Sequence, residues 1–133
     1  MEREGIVMSK LLDEICTTNE ALVTLAVDFR SRAGVAQVVR GCDLRKYQTG
    51  PVLEAYVDVE TQSSKAFSWW LEVRWDQEQW IIESSIRESH QNGQDMLIEF
   101  PDRVATSLDD LVKSLRHATN DLMTSAKDFA FDR

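Results

Sequence analysis

Residues 66–89 read AFSWWLEVRWDQEQWIIESSIRES, and the period of this stretch decides the fold. Phe67, Trp69, Leu71, Val73 and Trp75 alternate with Ser68, Trp70, Glu72 and Arg74. Side chains two apart share one face of a strand, so the run makes one apolar and one polar face. Residues 76–79 read as a four-residue hairpin loop, and residues 80–89 as the returning strand. There Trp80, Ile82 and Ile86 face the core, with Ile81, Glu83, Ser85 and Arg87 opposite. So short a connection leaves only an antiparallel pairing.

The same period extends in both directions. In residues 52–60, Leu53, Ala55, Val57 and Val59 alternate with Glu54, Tyr56, Asp58 and Glu60, and a polar turn at 61–65 follows. Beyond the Gln91-Asn92-Gly93 turn, Met96, Ile98 and Phe100 alternate with Asp95, Leu97 and Glu99 until Pro101 ends the run. The flanks switch to a helical period. Leu11, Ile15, Thr18, Leu22, Leu25 and Phe29 form one stripe in a helix over residues 9–32, with Ser9 as N-cap and Gly34 as the stop. Leu108, Leu111, Leu115, Ala118, Leu122, Ala126 and Phe129 form another over residues 108–129, and Ser107 followed by Asp110 resembles a capping box. Residues 35–51 carry no clear period. Val35, Val38 and Val39 fit a helical turn or a short strand, and Arg40, Arg45 and Lys46 make the segment basic. The expectation is one α+β domain: an N-terminal helix, a four-stranded antiparallel meander and a C-terminal helix, with both helices packed on one sheet face. Residues 1–8 are expected as a flexible extension, with Met8 an alternative start.

Charge separates the three parts of the chain. The net charge of −8 divides into 0 over residues 1–50, −7 over residues 51–100 and −1 over residues 101–133. A field of that sign repels nucleic acid and anionic lipid and attracts basic partners, so neither nucleic acid nor membrane is expected as a partner. No apolar run is long enough for a transmembrane helix, and the first ten residues lack the apolar core of a secretory signal, so a cytoplasmic location is expected. Cys16 and Cys42 lack metal or redox spacing and read as reduced thiols, Cys16 as a small apolar residue of the first helix.

No cofactor, metal site or catalytic group is expected. His90 and His117 have no second histidine at ligand spacing, Ser84 and Ser85 lack a nucleophile elbow, and there is no glycine-rich phosphate loop. Glu88 with His90, or Glu72 with Glu83 across neighbouring strands, are the nearest approaches to acid–base pairs. The polar sheet face is more informative. It is expected to present Glu54, Asp58, Glu60, Glu72, Glu83, Asp95 and Glu99 around Tyr56, Trp70, Ile81 and Leu97, with Arg74 and Arg87 as its bases. Trp69, Trp75 and Trp80 read as core, each with a partner for its indole N–H, whereas Trp70 on an acidic face needs cover.

Those features point to a non-enzymatic protein-binding module, of the kind represented by toxin-immunity proteins, antitoxins or small secretion chaperones. Glu54, Tyr56, Asp58, Trp70, Glu72 and Glu83 are its expected contact residues for a basic protein. The alternative is a small-ligand binder or enzyme with a pocket between sheet and helix, lined by Trp69, Trp75, Trp80 and Cys16. Self-association as a homodimer, through the Arg40, Arg45 and Lys46 segment or through sheet edges, is a third expectation.

Overall fold

A computed structural model of the chain describes residues 2–44, 51–90 and 92–132. It contains helix α1 (Glu2–Arg30), strands β1 (Val35–Leu44), β2 (Pro51–Thr61), β3 (Ala66–Asp76), β4 (Gln79–His90), β5 (Gly93–Glu99) and β6 (Arg103–Ala105), and helix α2 (Leu108–Ala126). All strand pairings are antiparallel. The sheet order is β1-β2-β3-β4-β5, and β6 pairs with the start of β4 beyond the reach of β5. The expected meander is therefore β2 to β5, extended by two strands. β1 escapes a period-two reading because it lies at the sheet edge and buries only Val38. β6 is three residues long and has no period to read. Arg45 and Lys46 lie outside the described residues.

One core joins the elements. Leu53, Ala55, Val57 and Val59 of β2, Trp69 and Leu71 of β3, and Ile82 and Ile86 of β4 lie in one buried cluster. Leu22, Leu25 and Phe29 of α1 and Leu111, Leu115 and Leu122 of α2 belong to the same cluster. Full burial of each such side chain contributes roughly 1.5–3 kcal/mol. Between the helices, Thr18 and Thr119 share a buried hydroxyl contact of 2.9 Å, and the Thr119 hydroxyl donates to the Leu115 carbonyl at 2.8 Å. Arg116 reaches the buried Glu14 at 3.2 Å.

The helix ends differ from expectation. α1 continues through Ser9 to Glu2, so Ser9 is not its N-cap. α2 starts as expected: the Ser107 hydroxyl accepts the Asp110 N–H at 3.1 Å. It stops at Ala126, before Phe129. Its last turn has no base of its own. Arg32, from the α1–β1 connection, donates to the carbonyls of Ala126 at 2.6 Å and Phe129 at 3.1 Å. The cation that suits a helix C-terminus comes from the other end of the chain. Arg32 also pairs with Asp28.

After α2 the chain turns back on the sheet. Phe129 and Phe131 meet Trp69 at ring-centroid distances of 4.9 and 5.7 Å, and Phe29 meets it at 4.6 Å. Trp69 has no exposed surface, and its indole N–H has no hydrogen-bond partner among the described residues. Aromatic neighbours supply no acceptor atom, which is why the expected partner is missing. Trp75 is 47% exposed and is not core. It stands opposite Trp80 at the hairpin tip, with ring centroids 4.7 Å apart. Trp80 packs partly against the core. The tip is a two-residue turn, tighter than the expected loop, with Gln77 at φ 50° and Glu78 at φ 64°. Positive φ at both positions matches the twist of the flanking strands but disfavours side chains with a Cβ.

Three stability outcomes follow. Phe131→Ala is expected to lower the unfolding free energy by about 3 kcal/mol, and Trp75→Ala by about 1 kcal/mol or less, in urea titrations followed by circular dichroism. Replacing Gln77 by Asn together with Glu78 by Gly should raise it by about 1 kcal/mol, read as a higher thermal midpoint. An unchanged or lower midpoint would contradict the strain assigned to this turn.

Candidate acidic and aromatic interface

The sheet face away from the core is organised in rungs, because residues directly opposite in antiparallel strands share a face. One rung runs Gly41, Tyr56, Trp70, Ser85 and Glu99 across β1 to β5. The next runs Asp43, Glu54, Glu72 and Glu83 across β1 to β4. A third places Val39, Asp58, Ser68, Arg87 and Met96 in line. The six expected contact residues thus lie on three adjacent rungs of one face. Asp43 was missed because β1 was not legible as a strand.

Tyr56 and Trp70 are held by different means. Tyr56 covers Gly41 so closely that a Cβ there would stand 2.6 Å from the Tyr56 ring. The missing side chain of Gly41 makes room for the ring. Trp70 is covered from within the chain: the Arg87 guanidinium stands 4.2 Å from its ring centroid. Arg87 is oriented by its Nε, which donates to the Ser85 hydroxyl at 3.0 Å. Sequence spacing identified Arg87 as an outward base, but only the β3–β4 register brings it to Trp70. Beside this stack, Glu54, Tyr56, Asp58, Ser68 and Arg87 line an open concavity of about 410 Å³.

The carboxylate rung is electrostatically loaded. Like charges directly opposite each other destabilise a strand pair. Arg74 offsets part of this by binding Glu83 at 2.7 Å. Glu72, in the middle, is half-buried. Burial pushes its carboxyl above the ordinary range, Glu83 pushes it further, and Arg74 pulls it partly back.

Other expected members of the face fall elsewhere. A bulge in the β4–β5 pairing sets Ile86 opposite Ile98 but Arg87 opposite Met96, so Leu97 is the extra residue. Met96 thereby joins the outward face, contrary to expectation. Asp95 pairs with Glu88, which stands opposite the core residue Phe67, so Asp95 leaves the acidic face. Leu97 lines a groove with Phe67, Phe129 and Phe131 on the core side. Ile81 stays on the outward face opposite Arg74 but retains only 9% of its exposure.

The residues expected around a sheet–helix pocket are separated. Trp69 is enclosed by phenylalanine rings, Trp75 is exposed at a hairpin tip, and Cys16 is exposed on α1. Cys16 lies one residue from Ile15 and therefore off the apolar stripe. Cys42 is half-buried, and burial pushes its thiol upward, away from the reactive thiolate. His90 approaches Asp95 at 3.1 Å and accepts the Asn92 N–H at 3.3 Å, so it braces the β4–β5 turn. No family model, no curated protein and no solved structure matches the chain. Among the described residues no helix is long and apolar enough to cross a membrane.

The raised Glu72 carboxyl carries a pH signature. Its folded-state affinity for a proton exceeds the unfolded one, so ionising it costs stability as pH rises through the raised value. Below the ordinary carboxylate range both states are protonated and the cost vanishes. Glu72→Gln is therefore expected to raise the thermal midpoint at neutral pH, with the gain fading below about pH 4. A gain that is equal at both pH values would rule out this origin.

Proposed function

We propose that the chain is a binding module for a basic protein partner, engaged through the outward face of the sheet. The observation that carries this reading is the placement of Tyr56, Trp70 and Arg87 beside the Asp43, Glu54, Glu72 and Glu83 rung. Trp, Tyr and Arg are the residue types that most often carry the energy of protein interfaces. A row of carboxylates beside them attracts lysine and arginine side chains from a distance and orients the encounter. The like-charge repulsion within the rung is relieved when a cation from a partner settles on it. A protein that occupies and covers a basic partner in this way suits neutralising or escorting work, as performed by immunity proteins, antitoxins and secretion chaperones.

Affinity capture from the native host, at low and high salt, tests the reading. The wild-type chain should retain a basic protein at low salt and release it as salt screens the charges. Trp70→Ala and Glu72→Lys should each weaken that complex by about tenfold or more while leaving the circular dichroism spectrum unchanged. If both variants hold the same partner as tightly as the wild type, the outward face is not the site.

A further inference from the structure

β5 forms a second surface at the border of the outward face. It ends the strand order, and β4 is its only paired neighbour among the described residues. All seven of its residues are exposed. Three consecutive apolar ones stand at its centre: Met96 at 47%, Leu97 at 41% and Ile98 at 40%. Neither helix packs on this strand among the described residues. An edge strand offers a row of free backbone donors and acceptors, and proteins usually guard such edges with lysine, proline, a bulge or a covering element. β5 contains neither lysine nor proline, and its bulge at Leu97 leaves the apolar triplet exposed.

The surroundings give the edge a chemical preference. Asp95 precedes the apolar triplet and Glu99 follows it. On the core side, Leu97 opens into a groove of about 250 Å³ with Phe67, Phe129 and Phe131, where Glu88 and Asp128 outnumber the single base, Lys65. A second copy of β5 fits this edge poorly. Antiparallel pairing that lays triplet on triplet is centred on Leu97 and sets Asp95 of one copy opposite Glu99 of the other. Like charges directly opposite are destabilising. An extended segment with an apolar centre and basic flanks instead sets opposite charge against Asp95 and Glu99.

We infer that β5 accepts an extended segment of another protein as an added strand, its apolar centre over Met96, Leu97 and Ile98 and its basic flanks against Asp95 and Glu99. Main-chain hydrogen bonds supply affinity in such an addition, and the groove and the flanking acids supply selectivity. This site borders the outward face at Met96 and Glu99, but the inference does not rest on the function proposed for that face.

The test uses a blocked peptide of seven residues, three central valines between pairs of lysines, titrated by fluorescence anisotropy. A glutamate-for-lysine version and a version with proline as the middle valine are the comparisons. The lysine peptide should bind about tenfold or more tighter than either. Leu97→Lys/Ile98→Lys should weaken it by about tenfold or more, whereas Val27→Lys, on exposed α1 surface, should leave it unchanged. Circular dichroism confirms that both variants are folded. Equal binding of the glutamate or proline peptide, absent binding of the lysine peptide, or indifference to the double substitution would each overturn the inference. So would sedimentation showing a dimer that Leu97→Lys/Ile98→Lys converts to monomer, since a second copy would then hold the edge.

Discussion

Trp69 is enclosed by rings drawn from both ends of the chain: Phe29 from the end of α1 and Phe129 and Phe131 from beyond α2. The centre of the sheet, the first helix and the last residues are thereby tied in one aromatic cluster. Arg32 reinforces the same junction by binding the Ala126 and Phe129 carbonyls. Once this face of the sheet is committed to the core, most charged residues of β2 to β4 must go to the other face. The acidic rungs follow from that commitment, because the period of a strand leaves their side chains no third direction.

A solvated sheet face needs polar residues, but it does not need four carboxylates in one rung. Glu72 shows the cost most clearly, because its carboxyl is partly buried and bordered by Glu83 and Glu54. Natural sequences tend to carry such local conflict where function demands it. The neighbouring rung supplies what a purely charged surface lacks. Tyr56 is seated on a glycine and Trp70 lies under an arginine, so both rings are held in place before any partner arrives.

The outward face and the β5 edge use different physics. The first combines long-range charge with ordered aromatic rings. The second combines unpaired backbone groups with a short apolar centre. They meet at the β4–β5 bulge, which turns Met96 toward the outward face and Leu97 toward the groove.

Alternation in residues 52–60 and 66–89 was sufficient to establish an antiparallel sheet with one apolar face, and to place Glu54, Tyr56, Asp58, Trp70, Glu72 and Glu83 together on the other. Period is a local property, and a short run of sequence carries it as well as a fold does. β1 and β6 were not legible because edge and very short strands bury too little to impose a period. The position of Asp43 in the carboxylate rung, the stacking of Arg87 on Trp70 and the exposure of Trp75 depend on register and on where strands end. The bulge that moved Asp95 and Leu97 off the acidic face is likewise a matter of the β4–β5 register. Those features belong to the tertiary structure, because only the packed sheet decides which distant residues stand opposite one another.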